Sequence, residues 1–217
     1  MTRSYAIGAA AFVTLMLVTL AVLAFLQPPW MRQLLGMSDD PFAPCRTSVA
    51  MGGLDQIGGP FELINAQGET VTDADVITEP SILYFGYTFC PDVCPLDSAR
   101  NALATEILEA EGEIVQPVFI SVDPARDTPE VVGEFASIFH PRMVGLTGSD
   151  EQVRAASRAY RTYFNRNDGE GSDEFYLVDH STFSYLVLPG HGTVEIFRHD
   201  ESAEAVAEKT QCFLSRA

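Results

Sequence analysis

Two cysteines four positions apart, in the segment Cys90-Pro-Asp-Val-Cys94, are the residues of this sequence best suited to chemistry. A cysteine at a helix N-terminus lies beside unpaired amide donors and the positive end of the helix dipole, and both favour its thiolate form. Two such thiolates can exchange with a disulfide, or they can hold a soft metal ion. A thioredoxin-type redox turn has two residues between its cysteines, whereas this turn has three. The i, i+4 spacing places both sulfurs on one face of the first helical turn, and it leaves both chemistries open.

The cysteine turn is predicted to join a buried strand to an amphipathic helix. The apolar run Ser81–Tyr87 precedes it, and the helical pattern extends from about Pro95 to Glu111. Further strands are predicted at 114–122, 143–146, 183–188 and 193–197, and an early hairpin at 61–71. Further helices are predicted to begin at 127 and to extend over 150–164 and 200–214, with a polar loop at 165–173. Strands that alternate with helices and end in a hairpin indicate an α/β layered domain.

A third donor would favour metal binding over redox exchange, so the histidines are the next residues of interest. His140, His191 and His199 are interpreted as surface residues rather than ligands. His180 lies in a predicted bend 86 residues after Cys94. A separation of this length carries no ligand signature of its own, and a structural histidine remains an alternative.

The amino-terminal region is predicted to anchor the chain in a membrane. Ala6–Leu26 contains 21 residues without a charge, enough for a helix that crosses a hydrocarbon core of about 30 Å. A cleaved signal peptide is the alternative, but its apolar region would be shorter. We therefore expect a cytoplasmic stub and transmembrane anchor at 1–26, a tether at 27–53 and the folded domain at 54–217. Cysteine pairs suit an oxidising compartment, which favours a bacterial inner membrane with the domain in the periplasm.

The charge of the chain argues against a nucleic-acid partner. The formal net charge is −17 at pH 7, and an acidic surface repels phosphate backbones. We interpret the excess of carboxylates as a means of solubility.

Several motifs, in this order, resemble the Sco/SenC family: Gly86–Pro95, Val122–Pro129, Gly145–Gly148, Val178–Ser181 and Tyr185–Leu186. The resemblance extends over most of residues 54–214. It implies a thioredoxin-like fold with a central mixed β-sheet flanked by helices, behind one N-terminal transmembrane helix. Proteins of this family are copper proteins that assist assembly of the dinuclear CuA centre of cytochrome c oxidase.

The resemblance also implies the ligands, which would be Cys90, Cys94 and His180, with copper as Cu(I) or Cu(II). Around them, Asp92 is expected to act as a cap or to face a partner, and Asp179 to orient the His180 ring. The run from Asp123 to Asp127 is interpreted as ordinary turn and cap chemistry.

Two cysteines lie outside the shared motifs. Cys45 and Cys212 either join the tether to the last helix through a disulfide or remain free thiols.

The sequence leaves more than one function open. The favoured function is a membrane-anchored copper metallochaperone that serves a copper-bearing oxidase subunit and receives copper from an upstream donor. The alternatives are a thiol–disulfide reductase that uses Cys90 and Cys94 to keep the ligand cysteines of the oxidase reduced, and a copper or redox sensor.

Overall fold

The computed structural model describes residues 12–23, 40–47, 53–167 and 176–217. The chain divides into two units, Met1–Ala43 and Pro44–Ala217. In the first unit residues 12–23 are helical, whereas both ends of the predicted anchor and most of the predicted tether lie outside the described residues. Within the described ranges, none of the helices combines the length and the apolar character that a membrane span requires.

A mixed sheet forms the centre of the second unit. Its strands, in the spatial order β2-β1-β5-β4-β3-β8-β9, are β1 (Glu62–Asn65), β2 (Thr70–Thr72), β3 (Ser81–Gly86), β4 (Gln116–Ser121), β5 (Val144–Thr147), β8 (Ser184–Leu188) and β9 (Gly192–Phe197). The three central strands β3, β4 and β5 run parallel, and the outer pairs are antiparallel. Two short strands, β6 (Phe164–Arg166) and β7 (Val178–His180), form a separate antiparallel ribbon.

Helices flank this sheet and confirm the predicted α/β architecture. They are α1 (Asp73–Val76), α2 (Val93–Ala110), α3 (Pro129–Phe139), α4 (Asp150–Ala159) and α5 (Ala203–Leu214). The predicted start of α3 is correct, because Thr128 caps it by accepting a hydrogen bond from the Val131 amide and Pro129 occupies the first turn.

One helix is shorter than predicted. The pattern suggested a helix to Phe164, but α4 ends at Ala159. Arg161 adopts a left-handed backbone with φ of 50°, and this conformation terminates a helix. The following residues extend into β6, where the sequence predicted only a loop from Asn165.

The centre of the core is β3, whose six residues are all buried. It lies between β4 and β8, and its Phe85 ring packs 5.4 Å from Tyr160 and 5.9 Å from Tyr185, measured between ring centroids. Full burial of each such apolar side chain contributes about 1.5–3 kcal/mol. A rigid central strand therefore ends at Gly86, immediately before the cysteine turn.

A disulfide fixes the beginning of the second unit to its last helix. Cys45 and Cys212 are bonded, with 5.7 Å between their Cα atoms. The segment is also held by the buried carboxylate of Glu195, which accepts hydrogen bonds from the amide of Thr47 (2.8 Å) and from its hydroxyl (3.3 Å). Of the two possibilities for these cysteines, the structure contains the bonded one.

Candidate metal centre

The cysteine arm of the site, residues 87–94, follows the end of β3. A tight turn returns the chain, since the amide of Cys90 donates to the carbonyl of Tyr87 at 3.3 Å. Cys94 lies in the first turn of α2, and its amide points at the sulfur of Cys90 at 3.4 Å. Cys94 is fully buried and Cys90 nearly so. The helix N-terminus thus presents free amides to the sulfur of Cys90.

The histidine arm is the β6–β7 ribbon. His180 pairs with Phe164 at the end of β7, and the Nε2 atom of its ring is 3.2 Å from Sγ of Cys94. The other ring nitrogen, Nδ1, is 2.9 Å from the carbonyl oxygen of Ser181. A carbonyl oxygen only accepts hydrogen bonds, so Nδ1 carries the proton. The lone pair of Nε2 is therefore directed toward the sulfurs.

Two aromatic rings fix the position of the imidazole from the side. Tyr84 and Tyr87 meet it edge to face, with ring centroids 6.2 Å and 5.7 Å from that of His180. The arrangement limits rotation of the ring and keeps Nε2 on the side of the cysteines.

The donor atoms of Cys90, Cys94 and His180 all lie within 4.8 Å of one another. Within the described ranges, no other group of three or more histidine, cysteine, aspartate or glutamate donors comes this close. The structure thus assembles the three residues that the resemblance selected, across an 86-residue separation that has no ligand signature.

The pKa values of the two thiols in this group are shifted in opposite directions. The pKa of Cys90 falls to about 3, chiefly because the Cys94 thiol donates a hydrogen bond to it, with further donation from the amides of Asp92 and Cys94. Burial raises the pKa of Cys94 well above its usual range. The reduced pair is therefore one thiolate beside one thiol.

Two aspartates adjoin the ligands: Asp92, with a predicted capping or partner-facing role, and Asp179, with a predicted orienting role. Asp92 is exposed at the start of α2, and its side chain forms no capping hydrogen bond. Asp179 is also exposed, because neighbouring residues of a strand face opposite sides and His180 faces inward. The orienting contact for His180 is the Ser181 carbonyl, and the prediction of that role for Asp179 is wrong.

The remaining histidines contribute no donor to this group. His191 and His199 are exposed as predicted. The interpretation of His140 as a surface residue is wrong. Its side chain is buried at the C-terminus of α3, between the Arg142 amide and the Glu109 carboxylate.

Sequence reasoning missed the environment of the Asp123–Asp127 run. Thr128 does cap α3, but Asp123 and Asp127 are themselves buried and hydrogen-bonded to segments beside the metal centre. The sequence shows two carboxylates four residues apart, each followed by a turn-forming residue. This pattern is the same for a surface turn and for a buried hydrogen-bond network, so it could not predict the burial.

Comparison with known proteins identifies the family of the chain. The family described as SCO1/SenC matches residues 49–215. This chain belongs to the SCO1/SenC family. Another member, protein SenC of Rhodobacter capsulatus, is 53% identical over 176 residues, which cover 81% of this chain and 78% of SenC.

Solved structures of SCO1/SenC proteins share the fold. Arabidopsis thaliana ScoI with copper bound is 41% identical, with a TM-score of 0.68, over 73% of this chain and 99% of that one. Yeast Sco1 with copper bound is 36% identical, with a TM-score of 0.70, over 75% and 90% of the two chains. The chain spans 46% to 61% of the longer relatives from Arabidopsis and fission yeast.

Proposed function

We propose that this protein is a membrane-anchored copper metallochaperone that assists assembly of the CuA centre of cytochrome c oxidase. The observation that carries the proposal is the convergence of Cys90, Cys94 and His180, whose donor atoms lie within 4.8 Å of one another. Related proteins with the same fold have been solved with copper bound.

The donor set suits Cu(I). This soft ion prefers thiolates and accepts imidazole as a third ligand. Cys90 offers a thiolate in the reduced protein, and Nε2 of His180 has its lone pair directed inward. Binding of the cation displaces the proton of Cys94, and two thiolates with Cu(I) carry one net negative charge beside the N-terminus of α2.

Transfer to an oxidase requires that the domain reach a copper-bearing subunit at a membrane. We propose an inner-membrane anchor within 1–26 and a periplasmic domain, on the strength of the apolar run Ala6–Leu26 and of the Cys45–Cys212 disulfide, a bond typical of oxidising compartments. An upstream protein would supply the copper.

Copper titration of the full chain in detergent tests the ligand set. We expect one Cu(I) per chain, and an X-ray absorption spectrum with two sulfur ligands and one nitrogen. Substitution His180→Ala should remove the nitrogen and weaken binding by more than about 10-fold, because loss of a ligand costs more than loss of an outer partner. The matched control is His191→Ala, at an exposed turn position.

In cells, the His180→Ala variant should also lower the copper content of the oxidase. Unchanged affinity and coordination in this variant would contradict the three-ligand site. An intact site without any effect on the copper content of the oxidase would favour a copper or redox sensor.

The lowered pKa of Cys90 favours a second function, a thiol–disulfide reductase. The Cys90 thiolate would attack a disulfide of the partner and form a mixed disulfide as one partner thiolate leaves. Cys94, after losing its proton, would attack Cys90 and release the second partner thiolate, so that the partner gains two electrons and the Cys90–Cys94 pair becomes oxidised. This reaction needs no donor from His180, so reductase activity that survives His180→Ala while copper binding fails would identify it.

A further inference from the structure

We propose that the loop Asp123–Asp127 positions the metal ligands by holding the cysteine arm and the histidine arm at a fixed separation. The loop follows β4 and precedes α3, and none of its residues is among the three proposed ligands. The inference rests on the proposed copper site, but the contacts that support it belong to the loop alone.

The first contact of the loop is with the cysteine arm. Asp127 is fully buried, and its carboxylate accepts hydrogen bonds from the Thr88 amide (3.0 Å), the Thr88 hydroxyl (2.5 Å) and the Ser121 hydroxyl (2.6 Å). Thr88 lies two residues before Cys90, inside the tight turn. The carboxylate thus ties the cysteine turn to the end of β4.

The second contact is with the histidine arm. The hydroxyl of Tyr176 donates to the buried carboxylate of Asp123 at 2.5 Å, and the guanidinium of Arg126 donates to the Tyr176 carbonyl at 2.9 Å. Tyr176 is four residues before His180 and leads directly into β7. Asp123 also accepts from Nε of Arg126, so the three residues form one unit.

Arg126 contacts both arms at once. Its guanidinium carbon is 3.7 Å from the ring centroid of Tyr176 and 4.9 Å from that of Phe89, the residue before Cys90. The two rings therefore enclose one cation, and their separation is set by its thickness and by the hydrogen bonds on either side.

The histidine arm needs such support because its ribbon is not a part of the main sheet. Main-chain pairing fixes β6 against β7, but it does not fix either strand against β3 or α2. The loop itself is well anchored, since the Val122 amide donates to the Gly86 carbonyl (2.7 Å) and the Thr147 hydroxyl donates to the Asp127 carbonyl (2.7 Å). It therefore transmits the position of the central strands to His180.

Two substitutions test the two halves of the loop, and a third is the control. Tyr176→Phe removes one hydroxyl and leaves the ring in place, whereas Asp127→Asn removes the charge that holds Thr88. Glu195→Gln makes the same change as Asp127→Asn in an equally buried carboxylate, whose partners Thr47 and Ile196 belong to neither arm.

In full-length protein we expect Tyr176→Phe and Asp127→Asn each to lower Cu(I) affinity by about 10–100-fold, the usual cost of losing an outer partner. The X-ray absorption spectrum should show a weaker nitrogen contribution, and Glu195→Gln should match the parent. Tyr176→Phe is the decisive variant where Asp127→Asn fails to fold.

A readout without copper separates this inference from the proposed function. In the reduced, metal-free protein, proton NMR contacts between the His180 and Tyr87 rings report the position of the histidine arm. Loss of these contacts in Tyr176→Phe but not in Glu195→Gln would support the inference even where no variant binds copper. Parent-like contacts and parent-like coordination in Tyr176→Phe would overturn it, whatever the fate of the proposed function.

Discussion

Cys90 and Cys94 differ in proton affinity although one helical turn separates them. Cys94 lies inside the core, where a charged sulfur is poorly solvated, while Cys90 collects hydrogen bonds from the helix N-terminus and from Cys94. The outer sulfur is thus ready to meet a metal ion or a partner disulfide, and the inner sulfur follows after losing its proton.

This asymmetry predicts how the stability of the reduced protein depends on pH. The pKa of Cys90 is about 3 in the folded state against an ordinary value of 9.0. A lowered pKa contributes stability that is complete above the unfolded pKa and is lost as the pH falls through the folded pKa. We therefore expect the free energy of unfolding, relative to that of Cys90→Ser, to decrease steadily as the pH falls from about 9 to about 3, in denaturant titrations under reductant.

Cys94→Ser is the matched control, and its pH dependence has the opposite sign. The pKa of Cys94 is raised, so its contribution is present below the unfolded pKa and is lost as the pH rises above about 9. Parallel curves for the two variants would contradict the assignment of one thiolate and one thiol.

At the scale of elements, the close approach of β3 to α2 determines where Cys94 lies. Gly86 ends β3, and a Cβ built on it would be 3.0 Å from the sulfur of Cys94 and 2.8 Å from the ring of Tyr84. The absence of a side chain at this position is what allows the helix to begin directly against the strand.

Substitution Gly86→Ala should therefore displace Cys94 and lower Cu(I) affinity by about 10-fold or more, besides costing about 1–3 kcal/mol from overpacking. Competition with a Cu(I) chelator measures the affinity, and thermal unfolding measures the stability. Gly133→Ala, whose Cβ would meet that of Ala66 at 2.6 Å, is a control for overpacking away from the site. Equal loss of affinity in both variants would show that the effect is one of general stability.

The sequence was sufficient to predict the positions of those strands and helices that carry strong local signals. The unbroken apolar run of β3 is where the pattern predicted it, and α3 begins at Pro129, close to the predicted start at 127. Proline is rare in a central strand, but Pro117 is tolerated. The neighbouring Gln116 amide donates on the β3 side, to the Pro80 carbonyl, so the missing amide of Pro117 would face β5, whose pairing with β4 begins only at Val118 and Val144.

The β6–β7 ribbon had no such signal. Each strand is three residues long, with exposed positions and no alternation long enough to recognise. His180 was consequently placed by resemblance alone, and its true orienting group, a backbone carbonyl, leaves no trace in a residue pattern.

At the scale of the whole molecule, the Cys45–Cys212 disulfide closes a loop of nearly the entire second unit, with a sequence separation of 167. Removing a native disulfide typically costs about 2–5 kcal/mol. We expect the double substitution Cys45→Ala with Cys212→Ala to lower the free energy of unfolding by this amount.

Copper stoichiometry should remain at one per chain in the double variant, because the bond joins none of the segments that carry the ligands. Urea unfolding and Cu(I) titration of the same preparation check both expectations. Loss of copper binding at a temperature where the variant is still folded would show that these cysteines take part in the centre.

The 86-residue separation between Cys94 and His180 determines the order of folding and copper binding. The two residues meet only after β3, β4, β5 and the ribbon have all taken their places, so the nascent or partly unfolded chain offers a pair of cysteines but no complete chelate. Copper that binds the complete site must then stabilise the native state against global unfolding, by an amount that grows with the logarithm of the free copper concentration. The extent of folding and the extent of metal loading are thereby linked, and a destabilised chain is also one that releases its copper.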